Sequence, residues 1–265
     1  MTGAVAVRRP ARLSWLPLAL ALLLVGTAIA YPLTDGPARD TISWAIVLLG
    51  SAVSVSHAVI SRGVRTGLGL LALVAVVAVL VEALGLATGV PYGEYTYSDA
   101  LGPTLLGVPF LVPLAWLLMA WPSWVLATRL APRSRPARVL IAAYLFAAWD
   151  VVLDPQMVQA GYWRWADPHP GLPGIPTVPL TNLAGWLLAG LLLMTLLDLL
   201  LQRTARPGAP AAGDAAPLLT LGWMTLGGAL AHAGWLELPG SAVWGVLLAL
   251  PVLAAVARQV RARRR

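Results

Sequence analysis

Runs of apolar residues about as long as a membrane-crossing helix recur along most of this chain, and they dictate what it can fold into. A helix needs roughly 18 or more successive apolar residues to cross the ~30 Å hydrocarbon core of a bilayer. Eight segments approach or meet that length: Leu13–Ala30, Thr41–Ile60, Gly67–Thr88, Thr104–Thr128, Ala137–Leu153, Leu183–Leu201, Pro217–Leu236 and Ser241–Ala257. Lipid offers the backbone no hydrogen-bond partners, so each segment must satisfy its own N–H and C=O groups as a helix. Composition agrees: 59% of residues are apolar and 11% charged, against about 25% charged in soluble domains. The expected fold is all-α, a polytopic transmembrane bundle of about eight helices. It forms one membrane domain over 1–265, with a basic tail from about residue 258.

Arginine placement predicts the orientation. With the N-terminus inside, the cytoplasmic segments carry Arg8, Arg9, Arg12, Arg62, Arg65, Arg129, Arg133, Arg135, Arg138, Arg203, Arg206, Arg258, Arg261 and Arg263–Arg265. The outer segments keep only Arg39 and Arg164. Such a positive-inside bias suits an even number of spans with both termini cytoplasmic, in the plasma membrane. The net charge of +7 therefore describes orientation in a membrane, not a nucleic-acid partner. Arg8, Arg9 and Arg12 followed by an apolar run and Ala28-Ile29-Ala30 also resemble a signal peptide. An uncleaved first helix is the expected reading. Arg206–Ala216 reads as a flexible cytoplasmic linker.

Residue types that are missing exclude several chemistries. There is no Lys for a retinal Schiff base, and no Cys for a thiolate nucleophile, disulfide or thiolate-bound metal. No Asp-rich pair for Mg²⁺-diphosphate, no GxGxxG and no HExxH motif occurs. Neither a metal nor a soluble cofactor is expected.

Two connecting segments are unusual. Gly89–Pro109 places Tyr92, Tyr95 and Tyr97 beside Glu94 and Asp99. An interfacial aromatic belt with solvated acids would account for it alone. Asp154–Asn182 holds six prolines, which forbid a regular helix through most of it, together with Trp163 and Trp165. A loop this long and aromatic is expected to fold back on the bundle as a lid or re-entrant cap.

Acids within the spans are costly, roughly 2.5–3.5 kcal/mol each on insertion scales, so each is a functional candidate. Glu82 lies about two turns before the outer end of the third span. Asp150 and Asp154 lie at the outer end of the fifth, on one helix face by their i, i+4 spacing. Asp154-Pro155 also reads as a helix stop. Asp198 is expected to pair with Arg203, and His57 lies far from the other candidates. His232, in the outer half of the seventh span, can approach them. Asn182 is a plausible N-cap for the sixth span, and its amide could instead hold water or a substrate hydroxyl.

Several of these elements recur together, in order, in one family: PYGEYTY (Pro91–Tyr97), LGPTLLGVPFLVPLAWLLM (Leu101–Met119), DPQM (Asp154–Met157), Trp163–Trp165 and GIPTVPLTNLAGW (Gly174–Trp186). Over about Leu70 to Leu200 the chain resembles the membrane-embedded carotenoid biosynthesis proteins, of the carotenoid 1,2-hydratase and bisanhydrobacterioruberin hydratase type. It departs from them in the TVPLTN segment before Trp186. The resemblance implies hydration of the terminal C=C of an acyclic carotenoid held within the bilayer. It leaves room for association with other carotenoid biosynthesis enzymes. The chemistry then assigns Glu82, Asp154 and Asp150 to catalysis through a tertiary carbocation. Tyr95, Tyr97, Trp116, Trp163, Trp165, Asn182, Trp186 and His232 are assigned to binding, the aromatic faces being suited to a cation. Another end-group reaction (isomerisation or cyclisation), or a non-catalytic carotenoid- or lipid-binding or transport bundle, stays open at this point.

Overall fold

The computed structural model describes residues 13–204 and 213–264. Arg8, Arg9, Arg12 and most of the Arg206–Ala216 linker lie outside the described residues. Nine α-helical stretches follow in order: α1 Leu16–Ala30, α2 Gly36–Arg62, α3 Val64–Thr88, α4 Leu111–Leu130, α5 Arg135–Gln159, α6 Leu180–Thr204, α7 Ala215–Gly222, α8 Gly228–Gly234 and α9 Pro239–Arg264. Among the described residues, seven helices are long and apolar enough to cross a membrane. The segment expected as a single span, Pro217–Leu236, is instead α7 and α8 joined by a π-helical turn, Trp223–Gly227. Helical backbone runs without a break through all three pieces, so the bundle has eight helical segments. The chain is a multi-pass membrane protein.

Helix α4 is the central post, packed on α2, α3, α5 and α7. Two devices let neighbours approach it closely. The Ser51 hydroxyl donates to Leu114 O at 2.7 Å, and a Cβ on Gly50 would lie 2.3 Å from Leu118 Cδ1. The outer flanks of the bundle present large apolar side chains such as Leu68, Leu80, Leu84, Leu188 and Leu250, as lipid contact requires.

The chain direction gathers opposite chemistries at the two ends. The C-terminal ends of α2, α4 and α6 and the starts of α3 and α5 bring Arg62, Arg65, Arg129, Arg135, Arg138 and Arg203 to one end. There Asp198 is bound by Arg135 (2.8 Å) and Arg138 (2.8 Å), not by Arg203 as its spacing suggested. The cross-helix partners win because they reach the buried carboxyl from α5. His57 is also committed at this end. Its Nδ1 accepts from Trp121 Nε1, and its Nε2 lies 3.4 Å from Asp214, which Arg129 also holds at 2.6 Å. The expected basic tail from residue 258 is a continuation of α9 as far as Arg264.

Helix α5 runs six residues past its expected end, through Pro155 to Gln159. Proline removes one N–H from the helical ladder, but neighbouring helices tolerate such a gap. The extension adds more than a turn of α5 to the end opposite the arginines. Over that end, β1 (Tyr95–Tyr97) pairs antiparallel with β4 (Trp163–Trp165), and a second short ribbon, β2 (Thr104–Leu105) with β3 (Val108–Pro109), lies between them in sequence.

Candidate active site

Strand geometry arranges the aromatic cap. In the β1–β4 register Tyr95 faces Trp165 and Tyr97 faces Trp163, with Thr96 opposite Arg164. Side chains alternate across a strand, so the four rings share the face turned inward, and exposed Thr96 and Arg164 take the other. Cross-strand pairs of this kind stabilise such a short ribbon. The rings meet at centroid distances of 6.0 Å (Tyr95–Trp165), 5.8 Å (Tyr97–Trp163) and 5.5 Å (Tyr95–Tyr97). Tyr92 wedges between α3 and α6. A Cβ on Gly85 would sit 2.9 Å from its ring and one on Gly185 2.6 Å away, so both positions require glycine for this packing.

Beneath the cap lies a cavity of about 110 Å³. Of the residues proposed from sequence, Glu82, Asp154, Tyr95, Tyr97, Trp116, Trp163, Trp165, Asn182 and Trp186 line it. Glu82, from α3, accepts the Tyr95 hydroxyl at 2.5 Å and the Tyr97 hydroxyl at 2.9 Å on the same oxygen, Oε2. Across the cavity, Asn182 donates its two amide hydrogens separately, to Asp150 Oδ2 at 2.8 Å and to Asp154 Oδ2 at 2.5 Å. Asn182 therefore does not cap α6: the helix begins at Leu180, and its side chain spans to α5 instead. Asp150 stands behind Asn182, outside the cavity wall, with its Oδ1 buried and unpartnered.

His232 also lies outside the wall. Its Nδ1 contacts Ser241 Oγ at 2.6 Å and its Nε2 contacts the Gln156 amide at 3.0 Å. Gln156 itself lines the cavity, so His232 reaches the site only through it. Glu94 and Asp99 are exposed and do not line the cavity.

The electrostatics separate these acids from the two held at the arginine-rich end. Asp198 and Asp214 each hold arginine partners. Among the described residues, Glu82, Asp150 and Asp154, all at most 4% exposed, have no ion-pair partner. Their neighbours are neutral donors and rings: Trp116 packs on Phe146 (5.4 Å) and Trp186 (5.3 Å). Its indole N–H is buried near Glu82 without an acceptor of its own. Burial, with the Glu82 carboxyl beside them, holds the Tyr92, Tyr95 and Tyr97 phenols well above their ordinary range, so they remain O–H donors.

Several residues of the wall were not singled out from the sequence: Tyr31, Trp149, Gln156, Met157 and Tyr162. Gln156 and Met157 were findable in principle, because continuing the α5 periodicity beyond Pro155 puts them beside Asp154. Tyr31 and Trp149 carry no local signal; only the packing of α1 and α5 brings them in.

A multi-pass bundle with uncompensated acids under an aromatic cap narrows the class, and comparison with known proteins supplies the family. Residues 42–252 match the model of the family described as carotenoid biosynthesis protein. The chain belongs to that family. Among curated proteins, the bisanhydrobacterioruberin hydratase of Haloarcula japonica is 37% identical over 138 residues, 51% of this chain and 45% of that protein. The match thus spans less than half the length of that relative. No solved structure matches.

Proposed function

We propose that this protein is a carotenoid hydratase that adds water to the terminal isopropylidene double bond of an acyclic carotenoid, forming a tertiary alcohol. The observation that carries this reading is the set of three buried carboxyl groups without a cation, two of them facing an aromatic-lined cavity. Buried charge without a counter-ion is costly, which favours retaining a proton within the set. That is what acid catalysis on an alkene needs. The hydratase name of the Haloarcula relative supports the reaction type.

Asp154 is the proton donor: it lines the cavity and shares one amide with Asp150, and two adjacent buried carboxyls without a cation favour keeping a proton on the pair. Its O–H proton passes to the less substituted alkene carbon as the π bond breaks, leaving a tertiary cation. Trp116, Trp163 and Tyr97 present ring faces or edges around that position, each face worth about 0.5–2 kcal/mol to a cation. Glu82 is the base. Two phenol donors converge on one of its oxygens, an arrangement that suits a carboxylate. It orients a water, which forms the C–O bond as its proton moves to Glu82. Transfer of that proton to Asp154 through cavity water restores the starting state, so one water is consumed and nothing else. Tyr95 and Tyr97 are positioning residues for Glu82, and Asn182 for Asp154. The arginine-rich end faces the cytoplasm of a plasma-membrane protein, with both termini on that side, so the reaction proceeds near the opposite face.

The test is expression in a lycopene-producing host, with mass analysis of the pigments. The wild type yields a product heavier by one water, and Asp154→Asn and Glu82→Gln, inserted at normal levels, yield none. Full product from both variants overturns the assignment. No mass change with the folded wild type favours carotenoid binding or another end-group reaction.

A further inference from the structure

The acid cavity is too small for a whole carotenoid, and the structure holds a second cavity that none of the chemistry above uses. It measures about 320 Å³ and lies between the end of α1 and the π turn with α8. The two share six lining residues: Tyr31, Ile46, Trp149, Leu153, Gln156 and Met224. We propose that this second cavity is a lateral vestibule that binds the polyene chain of the substrate while its end group occupies the acid site, and through which the substrate arrives from the bilayer. The proposal rests on the hydratase reading for the identity of the end group, and on geometry for the path.

Three features favour an isoprenoid chain as the occupant. First, the vestibule is apolar. Its wall is mostly Ala, Ile, Leu, Val, Met and Gly residues, and a water needs two to four polar partners. Second, it opens on the lipid-facing flank. Its rim carries Ile29, Leu33, Leu230 and Trp235, between 52% and 65% exposed. Helix α1 packs on α2 and α7, whereas α8 packs on α9 and α5, so the rim lies between elements with different packing partners. Third, the polar groups are confined to the junction with the acid cavity. The Tyr31 hydroxyl is buried there without a partner, next to the Gln156 amide.

The contacts of His232 show how Gln156 is presented. Gln156 Oε1 lies 3.0 Å from His232 Nε2, and Ser241 Oγ lies 2.6 Å from Nδ1. The Nε2–H tautomer satisfies both: the ring donates to the Gln156 carbonyl and Nδ1 accepts from the Ser241 hydroxyl. The Gln156 NH₂ is left to face the collar with Tyr31. This polar ring at the neck can hold a water or pass it to the acid site, while the apolar chain lies beyond it. The π turn contributes Met224 to both cavities, and π turns commonly occur at functional positions.

Ala28 and Ala231 line the vestibule and not the acid cavity, so Ala28→Trp and Ala231→Trp fill the one and spare the other. The assay uses purified protein in lipid nanodiscs with lycopene, and with myrcene, a short terpene ending in the same isopropylidene group. The fraction of lycopene retained per folded protein is measured by absorbance. Both variants are expected to lose about tenfold in kcat/KM and in retention for lycopene, because binding of the remote chain contributes to kcat/KM. Their activity on myrcene, relative to wild type, is retained. Ala28→Leu and Ala231→Leu are expected to fall between, and they carry the test should a tryptophan variant fail to fold. Wild-type retention and turnover of lycopene in folded variants overturns the vestibule. Vestibule-dependent retention with no hydration by the wild type leaves the vestibule standing and removes the hydratase reading.

Discussion

Replacing Asn182 with Leu removes both donors that link the two α5 carboxyls to α6, at nearly constant volume. The bonds are 2.8 Å to Asp150 and 2.5 Å to Asp154, among groups that are 1–2% exposed. Each buried acceptor left unsatisfied costs about 1–3 kcal/mol, so the two together cost about 2–6 kcal/mol. Asp150 has no reserve partner, since its other oxygen is already unpaired. Part of the loss appears in stability and part in turnover, because Asp154 is no longer aimed at the cavity. The stability share is read as the unfolding midpoint in detergent, followed by tryptophan fluorescence, and the rest as product formed per folded protein. In an Asp150→Asn background one of the two links is already changed, and the substituted amide can itself donate to Asp154. There Asn182→Leu should cost only about 1–3 kcal/mol, a non-additivity expected of residues sharing one network. A loss under about 0.5 kcal/mol with normal turnover, the range of an inconsequential surface change, refutes the bridging role.

Other expectations follow from the same geometry. Tyr95→Phe and Tyr97→Phe each remove one donor from Glu82 and should lower turnover about tenfold, with lycopene retention unchanged. Gly185→Ala should destabilise the fold by roughly 1–3 kcal/mol, the cost of overpacking, since its new methyl would meet the Tyr92 ring. Asp198→Asn should lower the unfolding midpoint and leave the product identical, because its arginine partners lie at the end remote from the cavity. At that end burial raises the Asp214 pKa, but its bonds from His57 and Arg129 outweigh this and hold it below the ordinary carboxylate range. A depressed pKa means stability that is fully present above the unfolded value of about 3.9 and lost as pH falls through the folded value. The midpoint of the wild type should therefore drop below about pH 4 more steeply than that of Asp214→Asn.

The helices were legible because the bilayer leaves one solution for an apolar run, and the acids were legible because a carboxyl there needs a reason. Asp150 and Asp154 fell on one face by spacing alone. What the sequence hid was non-local. The pairing of Tyr95–Tyr97 with Trp163–Trp165 joins strands more than sixty residues apart, and neither has a periodic signal of its own. Pro155 misled for a physical reason. It forfeits one hydrogen bond, which ends most helices in water, but the packed bundle carries α5 past it. Asn182 shows the same override: the residue type suits a cap, yet two buried acids compete for its amide more strongly than backbone N–H groups at a helix start. The vestibule depends on α1 and α8 packing on different partners, and no local pattern records that.

The central claim is that protons and water, rather than an oxidant or a simple rearrangement, modify the carotenoid end. The most direct measurement runs the purified protein on lycopene in deuterated water enriched in heavy oxygen, followed by mass spectrometry of the product. The account predicts an alcohol carrying solvent oxygen on the tertiary carbon and solvent deuterium on its neighbour, formed by the wild type and not by Asp154→Asn. A product without solvent oxygen, or labelled alcohol formed equally by Asp154→Asn, contradicts it.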